Sequence, residues 1–274
     1  MKIVALLQTF NERRFIANCI EHLNAQGASV YVVDNESTDN TVEIAERYLG
    51  RGVIGIEQLP RDGLWELRRQ LERKQELAAV LDSDWLMHVD ADELREAADP
   101  RQSLAEVFRR ADEMGFNAVN FLEFAFVPTA ESPDHDHPDY EQTMRRYYPL
   151  VPEYPHRLNA WKRQDGAVDL VSSDGHRVDF PGLRIWPRNL YMRHFLFLSV
   201  EHAAEKYTLS RKFPSDRREE PNWRIDLDVS RIKLPPERLL RRYVPGQPLD
   251  RTEPVEHHLP MPRPVSHASS TNRV

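Results

Sequence analysis

The residues best suited to chemistry lie in Trp85-Leu86-Met87-His88-Val89-Asp90-Ala91-Asp92-Glu93-Leu94. Here a stretch with strand character, Trp85 to Val89, runs abruptly into the carboxylates Asp90, Asp92 and Glu93. A buried strand ending in an acidic cluster puts oxygen ligands at a sheet's C-terminal edge, where open α/β folds bind ligands. With one residue between them, Asp90 and Asp92 can both reach one hard cation, directly or through water. Mg²⁺ and Mn²⁺ favour such oxygen ligands and commonly bridge a protein carboxylate to substrate phosphates. Taken alone, the three acids read equally well as a solvated acidic turn, because Asp-x-Asp recurs by chance.

Two other stretches shift that balance. In Val32-Val33-Asp34-Asn35-Glu36-Ser37-Thr38-Asp39-Asn40-Thr41, Asp34 emerges from an apolar strand and can accept a hydrogen bond from a base or ribose. The Ser, Thr and Asp residues after it can cap a helix and present backbone N–H groups. Gln8-Thr9-Phe10-Asn11-Glu12 forms a third polar strand end. In a parallel sheet all three ends fall on one side and line one crevice.

The elements that must position them are legible from periodicity. Strands are predicted over Ile3–Leu7, Val30–Val33, Val53–Ile56, Trp85–Val89 and Ala118–Phe121. Helices are predicted over Glu12–Ala25, Thr41–Leu49, Leu64–Leu81 and Ser103–Met114. That alternation argues for βαβ units around a mostly parallel central sheet flanked by helices. Thr38 and Asp39 are capping candidates for the second helix, Gly50 and Gly52 can end it, and Ser103 with Glu106 spells a capping box. Of the 20 prolines, 18 lie beyond residue 120, so the second half reads as a loop-rich elaboration. Within it Tyr191–Leu198 has strand character and Ser199–Arg211 helical character, with Ser199 as cap. The expected division is an α/β half over 1–125, an acceptor-side part of the same domain over 126–245, and a flexible tail over 246–274.

Composition narrows the function classes. The 274-residue chain can bury a sizeable core, and its net charge of -7 argues against a nucleic-acid footprint. The single Cys19 excludes an internal disulfide and a cysteine zinc site. No apolar segment reaches membrane length and the first strand is too short for a signal peptide, so the expectation is a cytoplasmic chain with at most peripheral membrane contact.

The stretches Thr9-Phe10-Asn11-Glu12, Val33 to Thr41 and Val89-Asp90-Ala91-Asp92-Glu93-Leu94 together resemble the three landmarks of family 2 glycosyltransferases of bacterial type, which have the GT-A fold. The resemblance covers roughly residues 1–125, with the motifs in order along the βαβ pattern. It implies an inverting transfer of a sugar from a UDP-, GDP- or dTDP-sugar to a hydroxyl of a glycan, lipid-linked sugar, protein or small molecule. By the same resemblance, Thr9 and Asp34 contact the nucleoside, with Glu12 and Asn35 beside them and Arg61 as a base or phosphate contact. Asp90 and Asp92 hold Mn²⁺ or Mg²⁺ on the diphosphate. A strand histidine followed by a helix bearing Glu, Lys and Arg resembles the C-terminal part of some bacterial members. It implies His194 as a third metal or diphosphate ligand, with Lys206 and Arg211 neutralising phosphate or closing the site.

Two departures stand out. Glu36 occupies a position where the family often has glycine, and no downstream Glu-Asp pair matches the usual general base. Chemistry demands a carboxylate or histidine to take the acceptor hydroxyl's proton. Asp174, with His176 next to it in the turn Ser172-Ser173-Asp174-Gly175-His176-Arg177, is the candidate that could hang over the crevice. His88 reads as packed behind the site, His135 and His137 as a solvated tract, and His257-His258 as inert. The rivals are a nucleotidyltransferase, disfavoured because Gln8–Arg14 contains no glycine, and a nucleotide-sugar-binding module without activity.

Overall fold

The computed structural model describes residues 1–61, 66–151, 154–209 and 228–261. Its first half follows the predicted alternation: β1 (Ile3–Thr9), α1 (Ile16–Ala25), β2 (Ser29–Asp34), α2 (Thr41–Glu46), β3 (Val53–Gln58), α3 (Leu67–Val80) and β4 (Trp85–Asp90). Then come β5 (Glu93–Glu96), α4 (Leu104–Glu113) and β6 (Ala118–Phe126). The second half supplies α5 (Tyr140–Thr143), β7 (Arg146–Leu150), β8 (Arg157–Lys162), β9 (Leu190–Phe195), α6 (Val200–Ala204) and the short β10 (Arg241–Arg242).

Neighbours in the sheet run β10-β7-β6-β8-β4-β1-β2-β3, and β3, β2, β1 and β4 are mutually parallel. Both faces of this parallel half are covered, so β1 is buried along its whole length and is apolar from Ile3 to Leu7 before its polar end. The loop-rich half is not simply appended. Its strand β8 enters antiparallel between β4 and β6, and β9 pairs parallel to β6 while holding β5 antiparallel. The result is a mixed α/β sheet, largely parallel at its centre.

Local chemistry explains the boundaries. Helix α1 buries Ile16, Cys19, Ile20 and Leu23, the spacing of one helical stripe. It starts at Ile16 rather than Glu12 because the preceding backbone is claimed elsewhere: the Asn11 N–H donates to Ser37 Oγ at 2.9 Å and the Glu12 N–H to Thr41 Oγ1 at 2.8 Å. Those bonds tie the end of β1 to the loop after β2. The predicted capping box at Ser103 and Glu106 forms at α4, and Ser199 caps α6 by accepting from the His202 N–H at 3.0 Å. At α2 neither capping candidate is the cap: the N-cap is Asn40, without a side-chain cap bond, while Asp39 Oδ1 accepts from the Thr41 N–H at 3.0 Å in the preceding turn and Thr38 donates its N–H to Asn11.

Part of the segment beyond residue 245 packs on the sheet, as far as residue 261. Val255 bonds β7 from both sides, with its N–H to Pro149 O at 2.9 Å and its carbonyl accepting from Val151 at 3.0 Å. Met261 is buried with Tyr207 and Ile232. Small apolar anchors among prolines were enough to dock this segment, and composition masked them.

Candidate active site

Register places the three polar strand ends together: Thr9 lies opposite Asp34 and Gln8 opposite Asp90. Asp34 is fully buried, and the bonds to its carboxylate among the described residues come from neutral donors. Thr9 Oγ1 donates to it at 3.0 Å, the Ser37 N–H at 2.9 Å and Ser37 Oγ at 2.6 Å. Beside it Asn35 donates to Leu59 O at 2.9 Å and accepts from Gln70 Nε2 at 3.1 Å. Glu36 takes φ 59°, a left-handed conformation that favours glycine, and its carboxylate accepts from the Arg61 N–H at 3.1 Å. The Arg61 guanidinium lies 3.7 Å from the centroid of the Phe10 ring, making a flat, cationic wall one loop away from Asp34.

At the end of β4 the turn Asp90-Ala91-Asp92 carries carboxylates in two different states. Asp90 is half-buried, and no donor among the described residues bonds its side chain. Asp92 is 7% exposed and Lys206 Nζ donates to its Oδ2, the same oxygen that lies 3.3 Å from His194 Nε2. Burial alone would raise the Asp92 pKa, but Lys206 and His194 hold it well below the usual carboxylate range. His194 in turn sends Nδ1 to Glu123 Oε1 at 2.6 Å. Burial opposes its charge, yet Asp92 and Glu123 on either side push its pKa up to about 10. It is therefore an imidazolium at neutral pH.

Glu123 continues the chain of contacts. Its Oε2 accepts from Arg157 Nε at 2.9 Å and lies 3.2 Å from His156 Nε2. A parallel strut runs behind Asp90: Glu93 pairs with Arg95 at 2.6 Å, Arg95 donates to Asn159 Oδ1 at 3.1 Å, and Asn159 Nδ2 donates to Gly175 O at 2.7 Å. Beneath β4 the buried Lys74 donates to His88 Nδ1 at 2.8 Å and to Val89 O at 3.3 Å. Burial draws Lys74 down to about 8 against the pull of Asp90 and Glu93. Burial and Lys74 keep His88 neutral, as the packed reading of that residue requires.

The donor types fit a hard divalent cation: carboxylate oxygens from Asp90 and Asp92 with an imidazole nitrogen from His194. Their present arrangement is closed, however, and among the described residues no three such groups stand ready to hold a metal. Asp90 would be the open ligand. Asp92 and His194 would join it once Lys206 withdraws from Asp92 and His194 sheds a proton.

The structure separates the two base candidates. Asp174 is exposed, at φ 52°, in a surface pocket with Arg68, Glu72, Gln75 and Asp169, and makes no recorded contact with the acidic turn. Its glycine neighbour explains why: Gly175 (φ 80°) packs so closely that an added Cβ would sit 2.9 Å from Leu71 and 3.0 Å from His88. That turn aims Asp174 outward along α3 and His176 inward, where its ring meets His156 at 5.2 Å between centroids. Arg211 lies outside the described residues. His135 is not solvated but buried between Ser132 and Thr143. Nor is His258 isolated, since Tyr148 OH is 3.1 Å from its Nδ1 and its ring packs 6.1 Å from that of His194.

Sequence reasoning missed Glu123, Arg157, His156, Asn159 and Lys74. Glu123 and Asn159 sit inside apolar strands, and a charged residue inside such a run was the available signal. Lys74 had none, being one of several lysines and arginines on a polar-looking helix.

Residues 5–113 match the family model described as Glycosyl transferase family 2. An uncharacterized glycosyltransferase of Rickettsia felis is 38% identical over 92 residues, covering 34% of this chain and 29% of its own length, so the chain spans under a third of that relative. Among solved structures, S. aureus TarS 1-349 in complex with UDP is similar at TM-score 0.44 and 14% identity, over 72% of this chain and 61% of that one. Glucosyl-3-phosphoglycerate synthase from Mycobacterium tuberculosis, in complex with Mn²⁺, UDP and phosphoglyceric acid, gives 0.29 and 18%, over 44% and 43%.

Proposed function

We propose, from the premise that residues 5–113 are a glycosyl transferase family 2 domain, that this chain transfers a sugar from a nucleotide-diphosphate donor to an acceptor hydroxyl. The observation that carries the reading is the shared strand edge. Asp34 on β2 and Asp90 on β4 are separated by β1 alone. Two strand spacings amount to about 10 Å, a distance that a nucleoside diphosphate spans from ribose to the sugar-bearing phosphate.

In this reading Asp34, Thr9 and Asn35 bind the nucleoside, and Arg61 over Phe10 offers the base or phosphate a flat cationic contact, with Glu12 holding the loop that joins them. Asp90, Asp92 and His194 hold Mn²⁺ or Mg²⁺, which supplies charge stabilisation to the departing diphosphate when bound. Lys206 adds a second positive charge on the same side. The acceptor hydroxyl attacks the anomeric carbon as the sugar–phosphate bond breaks, with inversion as the family resemblance implies. His176, turned inward beside His156, is the better placed of the two base candidates to take the hydroxyl proton. The loop-rich half forms the acceptor side.

A thermal-shift panel of UDP, GDP, dTDP and CDP, each with Mn²⁺ or with EDTA, tests this, because a ligand that binds only the native state stabilises it. A metal-dependent rise for one diphosphate is expected and would direct the search for sugar and acceptor. No rise with any of the four refutes the donor site. Normal nucleotide binding with neither hydrolysis nor transfer would instead assign a binding module.

A further inference from the structure

We infer that the groove between α1, the end of α2 and the 136–138 loop is a second anion site, which takes a ligand carrying more than one phosphate through Arg13, Arg47 and Arg51. It lies outside the crevice of the proposed donor site and does not depend on that assignment.

The groove has a volume of about 1080 Å³, at the upper end of the range for small-molecule clefts. Four arginines line it, Arg13 and Arg14 from the turn before α1 and Arg47 and Arg51 from the turn after α2. Two acids line it as well, and both are engaged: Glu21 accepts from Tyr48 OH at 2.6 Å, and Asp136 accepts from Arg14 Nε at 2.7 Å. Arg14 also donates to Glu205 at 2.8 Å, so it braces the groove wall. Among the described residues, no hydrogen bond or ion pair engages the guanidinium of Arg13 or Arg47, and Arg51 uses one nitrogen on the Arg47 carbonyl.

Lone surface arginines are usually just solvated. Here three converge on one concavity of a chain whose net charge is -7, which makes the cluster a departure from its surroundings. Like charges in a concave, poorly polarisable wall focus their field and concentrate anions there. The guanidinium fork matches phosphate oxygens with two parallel bonds. Spacing sets the ligand's size. Arg51 stands beside Asn24, whose Nδ2 donates to its carbonyl at 3.4 Å, and the rise from Arg13 to Asn24 along the turn and α1 is about 16 Å. One phosphate cannot serve both ends, whereas linked or separated phosphates can.

Calorimetric titration with inorganic tripolyphosphate tests the site, in EDTA so that no metal bridges the probe to the donor crevice. Wild type is compared with Arg47→Gln/Arg51→Gln and with Arg109→Gln/Arg188→Gln, which removes the same charge from exposed arginines elsewhere. The groove variant should bind about tenfold or more weakly, the scale of lost charge-assisted bonds. The control should stay within about twofold, because distant exposed charges are screened. Orthophosphate should bind wild type more weakly than tripolyphosphate does. Equal weakening in both variants would mean attraction to overall charge alone, and no binding by wild type would mean solvated arginines; either result overturns the inference. Sedimentation with vesicles of phosphatidylglycerol in phosphatidylcholine then distinguishes the source: capture that requires Arg47 and Arg51 assigns the phosphates to lipid headgroups, and tripolyphosphate binding without capture assigns them to a free ligand. Circular dichroism checks folding, and Arg13→Gln replaces the groove variant should that fail to fold.

Discussion

Lys74→Met isolates the buried cation beneath β4. Lys74 has no exposed surface, and its ammonium is held by His88 Nδ1 and the Val89 carbonyl. Burial brings its pKa from an ordinary 10.5 to about 8, although Asp90 and Glu93 pull the other way. That depression corresponds to roughly 3 kcal/mol of destabilisation while the lysine is charged in both states. The sign follows from proton counts. Between pH 8 and 10.5 the unfolded chain keeps the proton that the folded protein has released, so stability rises with pH across that window. Urea unfolding of wild type and Lys74→Met at a series of pH values measures it. The stability of wild type relative to the variant should climb by about 3 kcal/mol through the window, because methionine has nothing to titrate. Subtracting the variant removes the tyrosines and Cys19, which titrate in the same range. Loss of the His88 hydrogen bond adds an offset of about 1–3 kcal/mol but no slope. A flat difference would refute the claim that burial, rather than the nearby acids, governs this lysine.

Asp92→Asn should destabilise the protein by about 3–5 kcal/mol in urea, because Lys206 and His194 are left as buried charges without their shared anion; the double variant with Lys206→Met should recover part of the loss, and an unchanged midpoint would deny the ion pair. Asp34→Ala should weaken binding of the free nucleoside even with EDTA present, measured by calorimetry; normal affinity would remove Asp34 from the nucleoside site. Gly175→Ala should cost about 1–3 kcal/mol, since φ 80° and the approach to Leu71 and His88 both penalise a Cβ. It should also lower transfer more than nucleotide binding, by turning His176 away; equal losses in both would mean that the turn does not serve the acceptor side.

The parts of the fold that could be read from sequence are those whose contacts are local. Helix stripes, the capping box at Ser103 and the apolar strands of the parallel half each depend on neighbours within a few residues, and each was predictable. So were the strand ends, because a carboxylate after an apolar run signals a sheet edge without knowledge of the partner strand. What was hidden depends on pairing across long separations. Nothing in Arg157–Lys162 announces that it will insert between β4 and β6, yet that insertion brings Arg157 and Asn159 to Glu123 and Arg95. Asp174, rather than His176, is the base that sequence suggests because a glycine-containing turn is where an acceptor loop could present one. The left-handed pair Asp174-Gly175 then decided their directions, through a backbone turn that residue types alone do not orient.

The buried charges around the strand ends give the site a consistent electrostatic logic. Asp92, Glu93 and Glu123 are each matched by a cation within hydrogen-bond reach, namely Lys206, Arg95 and Arg157, and charged His194 bridges Asp92 and Glu123. Charges so balanced in a poorly solvated place resist any single ionic addition. A lone divalent ion would leave an excess of positive charge against Lys206 and His194. A lone diphosphate would meet Asp90 with no cation between them. The pair together adds little net charge. That is why the rise in the thermal panel should depend on metal and diphosphate together.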